Sequence, residues 1–209
     1  MSRPSHTQDS TSTLTIHPDP LELFQLWFDQ ARTESRMEYP NAVTLSTVND
    51  EGYPDGRIVL LKGLEDGSFV FFTNHKSSKG KALSRDSRVG MTFYWDALGR
   101  QVRVRGHAQT LPETDSDDYF ASRPRISQIG AWASAQSEEL SSREELEARV
   151  REVAQRFDGA PIPRPPHWGG FQVRPVELEF WLAREGRLHD RVLYRREARG
   201  PWTASRLNP

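Results

Sequence analysis

The sequence predicts a mainly β protein with peripheral helices, its strands joined as an antiparallel meander, and three observations carry that prediction. Short runs of β-branched and aromatic residues recur, as in Ala42–Val48 and Ser68–Thr73, and such residues fit a pleated, half-buried surface. The runs are joined by tight turns built on Asn, Asp and Gly, at Asn49 to Gly52 and at Asp66-Gly67, which is hairpin chemistry. Helix start and stop signals fall outside these runs. With 209 residues, the chain is long enough for one domain with its own hydrophobic core.

Residues 1 to 18, rich in Ser and Thr and poor in apolar side chains, are expected to be a mobile segment, with 19–209 as the single domain. Asp19-Pro20 is a helix start: the aspartate serves as N-cap, and the proline takes the first helical position, where its missing N–H costs nothing. Leu21, Phe24, Leu26, Trp27, Phe28 and Ala31 follow at roughly helical spacing, and the helix ends before Pro40. Arg57-Ile-Val-Leu-Leu-Lys62, set between Gly56 and Gly63, predicts a buried strand. Side chains alternate across a strand, so Arg57 and Lys62 are expected on opposite faces, each in need of an anion. Either each finds a carboxylate or reaches solvent at the strand ends, or the pair marks two separate phosphate sites.

Ser77-Ser-Lys-Gly-Lys81 opens a short helix to about Asp86, a capped surface helix or an anion site at a helix start. Two strands follow, Val89 to Trp95 and Gln101 to Leu111, and in the second Gln101, Arg103, Arg105 and His107 share one face. Phe93, Tyr94, Trp95 and Trp132 exceed what one small core needs, so some belong at a subunit contact. Two helices, from Pro112 to Ser122 and from Arg125 to about Ala135, break at Pro124. Their junction gathers Tyr119, Arg123, Arg125 and Ser127, donors suited to phosphate if they converge and otherwise an ordinary surface junction. Glu138 to Phe157 predicts a charged helix, capped by a Ser-Ser-Arg-Glu start, and Pro161 to Pro166 an extended linker. Strands then resume at Phe171 to Val176, Leu178 to Ala183, Val192 to Arg196 and Trp202 to Leu207. In extended geometry Arg187, His189 and Arg191 would lie on one face, paired with Glu177, Glu179 or Asp190 or else facing something electron-rich.

The formal net charge is -1, which does not point to nucleic acid or an anionic membrane as partner. The sequence contains no cysteine, which excludes disulfides, thiolate metal sites, thiol nucleophiles and cysteinyl cofactor attachment. Redox chemistry would therefore need a noncovalently bound cofactor. With no long apolar span or signal pattern, a soluble cytoplasmic protein without a metal is expected.

Several motifs stand together in order: Arg57-Ile-Val-Leu-Leu-Lys62, Tyr119-Phe-x-Ser-Arg123-Pro, Ser127-Gln-Ile-Gly-Ala-Trp132-x-Ser-x-Gln136-Ser137, Trp168-Gly-Gly-Phe171, Glu179-Phe-Trp181, Arg187-Leu-His-Asp-Arg191 and Arg206-Leu-x-Pro209. Over about Asp19 to Pro209 the chain resembles the pyridoxine/pyridoxamine 5′-phosphate oxidases, the FMN enzymes that make pyridoxal 5′-phosphate. The resemblance implies an FMN-binding split β-barrel, antiparallel and of Greek-key type, assembled as a homodimer with noncovalent FMN at the interface. It implies an FMN site of Arg57, Ile58, Val59, Leu60, Leu61, Lys62, Phe72, Thr73, Ser78, Lys79, Gln101, Gln136, Ser137, Trp181 and Arg191. The substrate phosphate would lie on Lys62, Tyr119, Arg123 and Ser127. Arg187 and His189 would cover the substrate ring as the catalytic pair, with dioxygen as the electron acceptor.

Two positions depart from the family's pattern. The family often has an arginine where this chain has Ser78, which predicts one charged contact fewer to the FMN phosphate. It also commonly has a basic N-terminal stretch with a lid tyrosine, and residues 1–18 contain no Tyr. Rival readings are a split-barrel flavin oxidase of the phenazine-biosynthesis type and a non-catalytic flavin or pyridoxal-phosphate carrier.

Overall fold

The computed structural model describes residues 13–197 and 200–209. Among the described residues nine strands, β1 (Ala42–Val48), β2 (Pro54–Leu60), β3 (Gly63–Glu65), β4 (Ser68–Asn74), β5 (Arg88–Trp95), β6 (Arg100–Thr110), β7 (Trp168–Leu182), β8 (Asp190–Arg195) and β9 (Thr203–Leu207), are joined by five helices. The helices are α1 (Pro20–Thr33), α2 (Ser78–Arg85), α3 (Glu113–Ser122), α4 (Arg125–Ala133) and α5 (Arg143–Arg156). The strands hydrogen-bond in the order β2-β1-β5-β6-β7-β4-β3, with β8 on β7 and β9 on β8. The chain falls into two compact units, and β5, β6 and β7 contribute a segment to each.

Unit 1 comprises residues up to 41, 92–105 and 176–209. The Asp19 side chain accepts from Leu21 N at 2.8 Å, so α1 starts where the Asp-Pro signal places it. Its apolar face buries Phe24, Trp27 and Phe28: Phe24 meets Phe93 edge-on at 5.0 Å and Trp27 meets Phe180 at 5.2 Å. Phe93 and Trp95 are thus fully buried in the chain's own core, and only Tyr94, 57% exposed, is left for a subunit contact on that strand. Residues 1–12 of the expected mobile segment lie outside the described residues. Within 13–18 the chain is tied down: Leu14 is buried with its N–H on Asp190 Oδ2 at 3.1 Å, and His17 N–H reaches Tyr194 Oη at 2.8 Å.

Unit 2 comprises 42–91 and 106–175. Asn49 Oδ1 accepts from the N–H groups of Glu51 and Tyr53 and closes the β1–β2 hairpin. The strand from Arg57 is not the core strand expected. β2 ends at Leu60 and stands at one end of the strand order, with one edge unpaired, and one of its faces is open: Ile58 is 62% exposed while Val59 and Leu61 are buried. Asp66 and Gly67 both take positive φ, 47° and 71°, as the β3–β4 turn requires.

Two other boundaries differ from expectation. Phe171–Val176 and Leu178–Ala183 are one strand, β7, in which Pro175 falls between the stretch paired with β4 and the stretch paired with β8. Helix α5 starts at Arg143 rather than Glu138, because Ser142 is the residue that caps it, accepting from Glu145 N at 3.2 Å. Among the described residues no helix is long and apolar enough to cross a membrane.

Candidate active site

A cavity of about 600 Å³ opens in unit 2. Ile58, Val59, Leu60 and Lys62 form one wall, and Phe72, Thr73, Asn74 and Lys79 a second. Tyr119, Arg123, Ser127, Gln136 and Trp168 are also part of its lining. Among the described residues no carboxylate lines it, although Lys62, Lys79 and Arg123 all do.

The α2 end of the cavity is built on hydrogen bonds. Ser77 caps α2, donating from Oγ to Asn74 O at 2.6 Å and accepting from Gly80 N at 3.3 Å. Gly80 is required here, since a Cβ would lie 2.2 Å from His75 O. Lys79 is 8% exposed and donates from Nζ to Ser77 Oγ at 3.1 Å and to Gln136 Oε1 at 3.0 Å. Gln136 Oε1 also accepts from Thr73 Oγ1 at 3.3 Å. Burial, aided by the Arg57 charge, lowers the Lys79 pKa to about 8. An anion beside Lys79 would favour the charged ammonium and raise the pKa again against both effects.

Another part of the lining is aromatic. Gln128 holds the α3–α4 junction, donating from Nε2 to Phe120 O at 3.0 Å and Ala121 O at 3.2 Å. Arg123 lies over the Trp168 ring at 4.5 Å, and its Nη1 is buried with no hydrogen-bond partner. Burial pushes its pKa below the ordinary arginine value. Lys62 Nζ lies 5.3 Å from the Tyr119 ring centre.

Of the expected FMN and substrate residues, Ile58, Val59, Leu60, Lys62, Phe72, Thr73, Lys79, Tyr119, Arg123, Ser127 and Gln136 line this cavity. Arg57, Leu61, Ser78 and Ser137 do not. Arg57 pairs with Asp55 and donates to Thr47 Oγ1 at 2.7 Å. Leu61 is buried, Ser78 opens α2, and Ser137 turns the chain at φ 73°. Sequence reasoning gave no site role to Trp168, Asn74 or Ser134, which also line the cavity. The Trp-Gly-Gly-Phe motif was the available signal for the first.

Gln101, Trp181, Arg187, His189 and Arg191 belong to unit 1 and are not in the cavity lining. Nor do Arg187, His189 and Arg191 form an extended run: Gly186 and Arg187 take φ of 64° and 62° in a short 3-10 turn before β8 begins. His189 instead packs its ring 4.5 Å from Trp181 and accepts at Nδ1 from Arg184 N at 3.1 Å. Arg191 donates to Glu179 from Nε at 2.8 Å and to Asn208 O at 2.9 Å.

Residues 30–157 match the family model described as pyridoxamine 5′-phosphate oxidase, and 168–209 match the pyridoxine 5′-phosphate oxidase C-terminal dimerisation region. The chain is 52% identical over 192 residues to a pyridoxine/pyridoxamine 5′-phosphate oxidase of Rubrobacter xylanophilus, covering 92% of this chain and 88% of that one. It is 47% identical over 207 residues to the Cupriavidus necator protein of the same name, covering 99% and 97%. Among solved structures, PhzG from Burkholderia lata, in complex with tetrahydrophenazine-1-carboxylic acid, superposes with a TM-score of 0.86 at 31% identity, covering 92% and 94%. A pyridoxamine 5′-phosphate oxidase-related, FMN-binding protein of Nostoc punctiforme shares the fold at a TM-score of 0.74 and 17% identity, covering 93% and 100%. The sheet order, the cation-lined cavity and these matches agree: the chain belongs to the pyridoxine/pyridoxamine 5′-phosphate oxidase family.

Proposed function

We propose that this protein is an FMN-dependent oxidase converting pyridoxamine 5′-phosphate and pyridoxine 5′-phosphate to pyridoxal 5′-phosphate in the cytoplasm. One observation carries the reading: Lys62, Lys79 and Arg123 line a single cavity that, among the described residues, holds no carboxylate. Lys79 is buried and Arg123 half-buried, and such cations without counter-ions are costly, a cost that two phosphate-bearing ligands would relieve, with the exposed Lys62 free to join them. The residues fit FMN at the hydrogen-bonded end, where Lys79, the α2 N-terminus and the nearby Arg57 suit its phosphate, and Gln136 and Thr73 offer further polar groups.

Bound FMN would supply a two-electron acceptor for the hydride leaving substrate C4′, with dioxygen taking the electrons on to hydrogen peroxide. The chain's own contribution is orientation. Tyr119, Arg123, Ser127 and Lys62 would hold the substrate phosphate, fixing C4′ at reacting distance. The His189 Nδ1 hydrogen bond assigns that ring's proton to Nε2. His189 would therefore act toward the substrate as a donor that orients it, beside Arg187, with no side chain serving as nucleophile. Water would hydrolyse the imine formed from the amine substrate to aldehyde and ammonia.

The working form is a homodimer, in which Gln101, Trp181, Arg187, His189 and Arg191 of a second copy complete the site. The match of 168–209 to a dimerisation region supports this, as does the open face of β2 at Ile58 and Leu60. The test is addition of pyridoxamine phosphate to FMN-loaded protein, reading peroxide and pyridoxal aldehyde together. Equivalent yields of both are expected. Binding without turnover would indicate a carrier, and turnover only of a non-phosphorylated ring would favour a PhzG-like role.

A further inference from the structure

Phe72, Tyr119 and Trp168 stand nearly parallel in the aromatic part of the cavity lining, with Phe72 stacked on Tyr119 at 3.9 Å and on Trp168 at 5.4 Å. The planes of Tyr119 and Trp168 differ by 8°. Two of the three rings carry a cation: Lys62 Nζ lies over Tyr119 at 5.3 Å, and the Arg123 guanidinium over Trp168 at 4.5 Å. Trp168 is 7% exposed, and Gly170 lets the rings close up, since a Cβ there would lie 2.9 Å from Phe72.

A carboxylate could fix Arg123 as firmly, but it would cancel the charge and occupy the N–H groups. A ring face attracts the cation through its quadrupole and leaves both free. Among the described residues no carboxylate lies within ion-pair distance of Arg123, and its buried Nη1 has no partner. We propose that Trp168 is a positioning residue whose ring holds the Arg123 guanidinium in place and un-neutralised, ready for the phosphate of the substrate. This rests on the reading of Arg123 as a substrate-phosphate ligand.

The experiment titrates FMN-loaded protein with pyridoxal 5′-phosphate and with pyridoxal, in Trp168→Leu, Trp168→Phe, Arg123→Met and the Trp168→Leu/Arg123→Met pair. Trp168→Leu should weaken pyridoxal phosphate binding by roughly three- to thirtyfold, and Trp168→Phe, which keeps a ring face, by less. Pyridoxal, which has no phosphate, should bind each variant as it binds the parent protein. In the Arg123→Met background, Trp168→Leu should add nothing. Equal losses for pyridoxal and its phosphate, or additive losses in the pair, would overturn the inference. So would unchanged phosphate binding in Trp168→Leu alongside a loss in Arg123→Met, which leaves the proposed function standing. If Arg123→Met itself binds normally, the reading beneath both fails. Trp168→Phe carries the same comparison if the leucine variant does not fold.

Discussion

Unit 1 pairs Arg103, Arg105, Arg184, Arg191 and Arg195 with carboxylates, with Arg100, over the Trp27 ring at 4.8 Å, as an exception, whereas none of the three cations lining the cavity of unit 2 has such a pair among the described residues. In unit 1 Glu179 accepts from Arg103 at 3.2 Å and from Arg191 at 2.8 Å, while Glu177 pairs with Arg105 at 3.3 Å and Arg195 at 2.9 Å. Arg184 likewise pairs with Asp190 at 2.7 Å. In the cavity, Lys79 leans on neutral oxygens, and Lys62 and Arg123 lean on ring faces. Pairing is what a folded chain normally does with a half-buried charge. Where it is withheld from the buried Lys79 and the half-buried Arg123, with the exposed Lys62 lining the same cavity, their anion is expected from outside the chain.

The largest break in this contrast comes from Arg123→Met. A charge-assisted hydrogen bond contributes roughly 1.5–3 kcal/mol, so pyridoxal phosphate should bind about ten- to a hundredfold more weakly. The cofactor-free protein, relieved of a buried cation with an unpartnered Nη1, should melt at the same or a higher temperature. Titration and thermal unfolding of one preparation check both halves. A variant that melts lower and binds normally would place Arg123 among the structural arginines.

Glu179→Gln probes the other side. The Glu179 side chain is 8% exposed and its two arginines 45% and 26%. Removing its charge leaves two guanidiniums facing a neutral amide. The expected loss is roughly 1–3 kcal/mol of unfolding free energy, below the 3–5 kcal/mol typical of fully buried pairs because the arginines reach water. Urea denaturation measures it. An unchanged midpoint would mean that the Glu179 pairs contribute nothing and that the contrast between the two regions is one of geometry alone.

How much of this was legible in the sequence follows from the range of the forces involved. Caps, turns and alternation are local, so α1 starts at Asp19-Pro20 and β6 alternates Arg103, Arg105 and His107 outward as read. The place of a strand in a sheet is not local. An apolar run such as Ile58–Leu61 reads the same in a core strand as in β2 at the end of the order. The extended reading of Arg187 to Arg191 failed on backbone conformation, because Gly186 and Arg187 turn left-handed. Within the site, the motifs carried Tyr119, Arg123 and Ser127, but stacking of Trp168 on Phe72 joins residues from two strands and has no signature in spacing. The pairing of Arg57 with Asp55 was visible only as a short separation in the chain.

Between the two extremes stands Lys79, whose pKa is lowered from 10.5 to about 8. Between those values the unfolded chain holds a proton that the folded chain has released, so stability of the cofactor-free protein should rise with pH across that window. The FMN phosphate should prefer the protonated lysine, so FMN affinity should fall as pH rises, by roughly tenfold between about pH 7 and pH 9. Opposite slopes of stability and affinity are the signature, and Lys79→Met should flatten both. Parallel slopes would show that another group titrates.

The smallest effect, and the sharpest test of the contrast, concerns Arg57. It lies close enough to lower the Lys79 pKa, as an FMN-phosphate ligand would, yet it pairs with Asp55 as the unit 1 arginines pair with their glutamates. Asp55→Asn keeps an acceptor for the guanidinium and removes the charge. The Asp55 side chain is 44% exposed, so the gain in positive potential is worth no more than about 1 kcal/mol, and FMN should bind roughly two- to fivefold more tightly. The gain should shrink at high salt, where an exposed charge is screened. Because Arg57 would then act on Lys79 with less compensation, the pH at which FMN affinity begins to fall should move down as well. Tighter binding with that shift would make Arg57 a ligand held in check by an internal carboxylate, and would compensate in part for the arginine replaced by Ser78. Weaker binding would mean that Asp55 orients Arg57 through its charge, and Arg57 would belong with the paired arginines.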